Sequence, residues 1–252
     1  MECVKMFGVD VASFNMQQTI EYIDESIQKN ITMQHVVINA SKIVLMQECD
    51  GLKEIIKKCE LINADGQSIV WASRVLGTPL PERVAGVDLM FKLIELAEKK
   101  GYGIYFFGAT QDVVEKTVNT FKEKYPNLIV SGYRNGYFGP EDNNAIVEDM
   151  KNSNAKILFV AFSSPKKEYW LSKNIDKINI PFCMGVGGSF DIVAGKTERA
   201  PKWMQDIGLE WFYRFIQEPR RMWKRYLIGN LKFIYYVLKE KFSKDIRYEQ
   251  NS

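Results

Sequence analysis

The chain reads as an α/β protein built on a mostly parallel sheet with helices on both faces. Three observations carry that reading. Between residues 35 and 195, short β-branched or aromatic runs alternate with longer amphipathic stretches. Glycine-rich or polar turns directly follow several of the apolar runs, where parallel strands present ligands at their carboxyl ends. At 252 residues and 46% hydrophobic content, the chain can bury one substantial core, alone or with an appendage.

The first strand is expected at 35–39 and the second at 59–63, where Asn63-Ala-Asp-Gly66 turns the chain into a helical pattern beginning at Gln67. A helix over 87–100 follows from Leu89, Leu93 and Leu96 on one face, with Gly101 as its stop. The third strand, 103–107, runs into Gly108-Ala-Thr110 and a helix starting near Gln111. Further strands at 128–131, 157–161 and 182–186 complete the series, the last two running into Ser163-Ser-Pro165 and Gly185-Val-Gly-Gly188. No internal repeat or long linker interrupts this order. The expected boundary lies near 195–200, and the chain is divided into a catalytic domain of residues 1–195 and a helical appendage of residues 196–252.

Charge supports the division. Residues 1–195 carry 21 basic and 24 acidic side chains, and residues 196–252 carry 13 and 7, so the net +3 of the whole chain belongs to the tail. Cys3, Cys49, Cys59 and Cys183 form no CxxC pair and read as free thiols of a cytosolic protein. The N-terminal residues lack the basic and apolar regions of a secretory signal. Residues 227–238 are mostly apolar but are broken by Gly229, Asn230 and Lys232, and fall short of the roughly 18 apolar residues of a spanning helix. They fit docking on protein or lying at a membrane surface.

Several familiar chemistries are missing. There is no G-x-G-x-x-G after the first strand, no P-loop and no Asp-x-Asp, and the lone His35 precedes an apolar strand, where a structural role is the simpler one. No metal ligand set or cofactor is therefore expected. Charge on a departing group falls instead to side-chain cations and helix N-termini.

Asp65, in a tight turn after a strand, is placed to accept a proton from an attacking hydroxyl; ordinary turn and N-cap chemistry explains an Asp-Gly pair equally well. Arg83, in a Pro- and Gly-bounded loop, suits a diphosphate or sugar oxygens, or else a salt bridge to Glu82 or Asp88. Gly108, Gly185 and Gly187 permit close backbone approach to a ligand, and Asp191 adds a carboxylate beyond them. Tyr137 stands between Gly136 and Gly139, as a ligand contact or as a turn packed on the core.

In the tail, Arg214, Arg220, Arg221, Lys224 and Arg225 interleave with Trp211, Phe212, Tyr213 and Trp223. If 209–226 is helical, Arg214, Arg221 and Arg225 share a face, with Pro219 marking a break or a fresh start. A solvated charged face would not need so many aromatics. Modest overall charge and the lack of a nucleic-acid module leave an anionic membrane as the better partner.

Asn63-Ala-Asp-Gly66, the segment 71–89 and the stretch 185–226 together resemble the bacterial WecG/TagA/CpsF family of glycosyltransferases. The resemblance covers the chain from about Gly8 to Tyr226. It implies a Rossmann-like, inverting enzyme that moves a sugar, N-acetylmannosamine or a related hexose, from a UDP-sugar to a polyprenyl-diphosphate-linked sugar in teichoic acid or surface polysaccharide synthesis. It implies a cytoplasmic protein, peripheral on the inner face of the cell membrane, and leaves homo-oligomerisation open. Asp65 becomes the base, with Asn39 and Arg83 beside it. Tyr137 and Asp191 border the nucleotide, and Arg214, Arg221 and Arg225 hold diphosphate.

The sequence departs from the family pattern at Ala161-Phe-Ser-Ser-Pro-Lys-Lys-Glu168, where Lys167, a substrate-binding candidate, replaces a polar amide beside the expected site, and at Val37-Ile-Asn39, where Val37 replaces a threonine. Both changes bear on sugar specificity. Two other classes remain as alternatives: a non-catalytic peripheral membrane module, and a nicotinamide-dependent oxidoreductase that lacks its glycine fingerprint.

Overall fold

A computed structural model of the protein describes residues 1–249, with the side chains of Asp206, Arg221, Met222, Lys224, Arg225 and residues 244–249 outside the description. The chain opens with a hairpin, β1 (Cys3–Met6) and β2 (Val9–Ala12), then α1 (Met16–Gln28), β3 (Met33–Ile38), α2 (Ala40–Glu48) and α3 (Asp50–Lys57). β4 (Leu61–Ala64), α4 (Gln67–Val75), α5 (Gly86–Lys100), β5 (Ile104–Gly108), α6 (Gln111–Lys124) and β6 (Val130–Arg134) follow. Next come a 3₁₀ turn (Pro140–Asp142), α7 (Asn143–Asn152), β7 (Ile157–Ala161), α8 (Lys166–Ile178), β8 (Phe182–Gly185) and α9 (Ser189–Val193). The last part is helical: α10 (Lys202–Asp206), α11 (Glu210–Gln217), α12 (Pro219–Trp223), a π-helical turn (Lys224–Ile228) and α13 (Gly229–Glu249).

β3 to β8 form one parallel sheet in the order β4-β3-β8-β7-β5-β6. The expected α/β class and all six expected strands are present. The fourth lies at Val130–Arg134 rather than 128–131, because Ile104 pairs with Val130 and a bulge then shifts Tyr105 onto Gly132. Central strands are buried on both faces, which is why they read as continuous apolar runs. Along β5, Ile104 and Phe106 face a core made with α1, α5, α6 and α9, while Tyr105 and Phe107 face α7 and α8.

The hairpin was not legible in advance. Its two-residue turn, Phe7-Gly8, has positive φ at both positions (53° and 80°), the backbone of a tight hairpin that usually takes Asn-Gly. Tertiary contacts hold Phe7 there: it is 3% exposed, its N–H donates to Glu240 Oε2 at 2.7 Å, and its ring lies 5.8 Å from that of Phe233.

Those contacts also dock α13. Phe233 and Val237 join the core of β1, β2, α2, α3 and α4, so the end of the chain packs on the α/β body. Pro219 marks a fresh helical start, one of the two outcomes expected of it: Glu218, with φ −132° and ψ 60°, ends α11, and Pro219 opens α12. The shared face inferred from unbroken helical spacing therefore does not carry across the tail. No helix among the described residues is long and apolar enough to cross a membrane.

Phe233→Ala should cost about 3–5 kcal/mol in denaturant unfolding, the usual range for removing a buried ring. An unchanged unfolding midpoint would mean that α13 is not docked as described.

Candidate active site

A cleft of about 890 Å³ runs along the carboxyl ends of the parallel strands. Its walls come from the segment after each of these strands: Asn39 after β3, Asp65 after β4, Thr110 after β5, Tyr137 after β6, Ser163 and Ser164 after β7, and after β8 Gly187 in the turn and Asp191 in the first turn of α9. The crossovers from β5 and β7 diverge to opposite faces of the sheet, toward α6 and α8. That divergence opens a crevice, as it does in doubly wound folds generally.

Asp65 stands at the edge-strand side. Its N–H donates to Ile38 O at 2.8 Å, and its Oδ1 accepts from Gly86 N–H at 3.3 Å, so both turn and carboxylate are held. Burial pushes its pKa up to about 6, helped by the nearby charge of Glu210 and opposed by Arg83 and Arg214. A carboxylate with that pKa is ionised yet appreciably basic near neutrality, which suits proton abstraction. Asn63, just before it, serves structure: its Oδ1 lies 3.0 Å from His35 Nε2, and its amide donates to Thr19 at 3.3 Å. Burial pushes His35 down to about 4 and keeps it neutral, in keeping with its expected structural role.

Arg83 lies behind the cleft wall and pairs with Glu210 on α11 at 3.3 Å. Neither expected partner forms a salt bridge with it, although its charge helps to lower the pKa of Asp88. Glu82 accepts the N–H of Met16 at 2.6 Å, and Asp88 takes both terminal nitrogens of Arg199 at 2.5 and 2.9 Å. Glu210 also lies 3.5 Å from Arg199 Nε and 3.5 Å from Arg214 Nη2. One carboxylate thus ties the loop beside Asp65 to the helical tail and brings Arg214 to the cleft. Sequence reasoning missed Glu210, since nothing in its local spacing points across 127 residues to Arg83.

The glycines divide by role. Gly187 has φ 56° and no atom closer than 3.9 Å to where a Cβ would stand, leaving its backbone open to the cleft. Gly108 does not line the cleft; with φ 127°, its Cβ position lies 2.6 Å from Ala161 O, so it permits the close approach of β5 and β7. Gly185 makes room for Lys167, whose Cδ would lie 2.5 Å from an added Cβ. Tyr137 is 74% exposed and lines the cleft, so it is not packed on the core. Asn39 caps α2, accepting the N–H of Lys42 at 3.1 Å, and Val37 lines the floor against Gly86.

Lys167 is 7% exposed and donates to Ser164 Oγ at 2.5 Å, part of a buried group with Glu168 and Lys42. Lys42 lines the cleft and was missed because the sequence shows it only as one polar residue in an apolar helix. The side chains of Arg221 and Arg225 lie outside the described residues. Among the described residues, no group of three or more His, Cys, Asp or Glu side chains is placed to hold a metal ion.

A strand-end cleft with a basic carboxylate and surplus cations is what group transfer from an anionic donor needs. A sequence profile of the Glycosyl transferase WecG/TagA/CpsF family matches residues 4–247. This chain belongs to that family. It is 29% identical over 249 residues to the N-acetylglucosaminyldiphosphoundecaprenol N-acetyl-beta-D-mannosaminyltransferase of Bacillus subtilis (strain 168), covering 98% of this chain and 96% of that protein. Proteins with the same name from Bacillus spizizenii (strain ATCC 23059 / NRRL B-14472 / W23) and Staphylococcus aureus (strain MW2) are 31% identical over 185 residues and 30% identical over 244. The first of these alignments covers 73% of this chain and 70% of the relative, the second 94% and 93%. The protein is a glycosyltransferase.

The raised pKa of Asp65 has a cost in stability. Above pH 6 the carboxylate is ionised in both states and the folded state carries the penalty; below the ordinary 3.8 it is protonated in both and the penalty is gone. Asp65→Asn should therefore be more stable than the parent at pH 8 by about 1–3 kcal/mol, with the gap closing by pH 4. Equal stabilities at pH 8 in denaturant titrations would show that the carboxylate is not held above its usual range.

Proposed function

We propose that the enzyme transfers N-acetylmannosamine or a related hexose from a UDP-sugar to a polyprenyl-diphosphate-linked sugar, with inversion, in teichoic acid or surface polysaccharide synthesis. Asp65 takes the proton of the acceptor hydroxyl, which attacks the anomeric carbon from the side opposite UDP. Asn39 and Arg83 support that end of the cleft. Tyr137, Gly187 and Asp191 frame the nucleotide, Gly108 and Gly185 shape the strand ends around it, and Lys167, Arg214, Arg221 and Arg225 supply positive charge for diphosphates. The relatives named above, whose acceptor is an N-acetylglucosaminyl diphospholipid by name, support this choice of acceptor.

The single observation that carries the reading is Asp65, a carboxylate at the cleft wall with a pKa pushed up to about 6. Asp65→Asn should retain UDP binding while turnover falls by roughly 10²–10⁴-fold, the usual contribution of a general base. Near-normal turnover would remove Asp65 from that role.

On this reading the appendage expected over residues 196–252, helical where it is described, holds the enzyme at the cytoplasmic face of the cell membrane. Trp203, Leu227, Leu231 and Phe242 are 61%, 68%, 68% and 64% exposed, apolar surface that a membrane interface would cover. The tail's +6 net charge favours an anionic leaflet. Because Phe233 and Val237 are buried in the α/β body, deleting the whole tail would open the core, so surface substitutions give the cleaner test. Leu227→Ser with Leu231→Ser should weaken binding to anionic vesicles by about tenfold or more with no loss of helicity. Unchanged vesicle binding would assign the apolar face another role.

A further inference from the structure

We propose that Lys42 and Lys167, joined through Glu168, form the cationic seat for the diphosphate of the donor. The inference rests on the nucleotide-sugar reading above and assigns the residues that take the charged bridge between sugar and nucleoside.

The observation behind it is a surplus of charge where charge is costly. The side chains of Lys42 and Glu168 are 6% and 2% exposed, and that of Lys167 is 9% exposed. Lys42 Nζ lies 2.5 Å and Lys167 Nζ 3.2 Å from the same oxygen, Glu168 Oε1. Taken by themselves, two ammonium groups and one carboxylate carry a formal charge of +1. Burial alone would raise the pKa of Glu168, but the two lysines hold it down to about 2, so the carboxylate stays ionised throughout the neutral range. A buried net charge costs several kcal/mol unless something compensates it. An anion in the cleft would do so.

The arrangement faces the right way. Lys42 and Lys167 line the cleft and Glu168 does not, so a ligand meets the ammonium groups in front of the carboxylate. Ser164, also on the wall, donates to Glu168 Oε1 at 2.9 Å and accepts from Lys167 at 2.5 Å, which fixes the turn after β7 to the same group. Lys42 belongs to the first turn of α2 and Lys167 to the first turn of α8, where the helix N-termini add partial positive charge. The two helices follow β3 and β7, which flank β8 in the sheet. The stem of Lys167 crosses the end of β8 over Gly185, where a side chain would collide with it. The cations therefore converge over the middle of the sheet edge. Asp65, after the edge strand β4, lies on one side of them, and Tyr137, after the opposite edge strand β6, lies on the other. A diphosphate linking a sugar at Asp65 to a nucleoside at Tyr137 must cross this point.

A merely structural triad would clamp α2 to α8 and respond to substitution by a loss of stability that no ligand distinguishes. A diphosphate seat responds selectively. In calorimetric titrations, Lys42→Met and Lys167→Gln should each weaken UDP binding by about 10- to 100-fold, the value of a charge-assisted hydrogen bond, while uridine affinity stays within about twofold of the parent. Ligand-free Lys42→Met should melt no lower than the parent, because Glu168 keeps one lysine and the surplus charge is gone. On the unaltered enzyme, inorganic pyrophosphate should raise the melting temperature and compete with UDP. Parental UDP affinity in either folded variant, or pyrophosphate that neither stabilises nor competes, would overturn the assignment and leave the nucleotide-sugar reading standing. A parent enzyme that binds neither UDP nor uridine would overturn that reading as well.

Discussion

Parallel pairing of six strands in one sheet imposes a direction on the whole molecule. Every strand from β3 to β8 ends at the same edge, so every turn that follows a strand delivers its polar residues to one line. Asn39, Asp65, Thr110, Tyr137, Ser164 and Asp191 are far apart in sequence and share one cleft for that reason. The same constraint buries the central strands on both faces, which requires helices on each side and makes the strand cores apolar throughout.

Charge in the cleft is organised by two carboxylates that each serve more than one cation. Glu168 joins Lys42 and Lys167 at the middle of the sheet edge, and Glu210 gathers Arg83, Arg199 and Arg214 beside Asp65. In the first group two cations share one carboxylate, whereas in the second Asp88 also holds Arg199 and Asp65 stands beside Arg83 and Arg214. Such groups bring side chains from separate elements to one place, and of their cations Lys42, Lys167 and Arg214 line the cleft, where an anionic substrate would meet them. Arg199 is fixed from a second side by Asp88, whose pKa is lowered by that pairing against the opposing pull of burial.

Asp65 shows how the same surroundings set reactivity and stability against each other. Removing its carboxylate from bulk water raises its basicity, and Glu210 adds to that rise while Arg83 and Arg214 limit it. Glu210 therefore acts on Asp65 twice, through its own charge and through the arginines it holds. The helical tail, which carries Glu210 and Arg214, is thereby part of the electrostatics of the cleft.

The α/β class, the six strands and the turns that carry Asp65, Tyr137 and Asp191 were legible in the amino-acid sequence, because strand periodicity and turn chemistry are local properties. Family motifs added the glycosyl-transfer reading to those positions. The hairpin turn at Phe7-Gly8 was not legible, since its unfavourable backbone is held by Phe233 and Glu240 more than 220 residues away. Nor were the partner of Arg83 or the shared carboxylate between Lys42 and Lys167, whereas Pro219 did signal the break in the tail helix. A lysine in a helical run has the same local pattern whether it faces solvent or a buried glutamate. Only tertiary packing, by choosing which helices meet across the sheet edge and excluding water between them, decided that these charges would be paired, buried and left with a positive surplus.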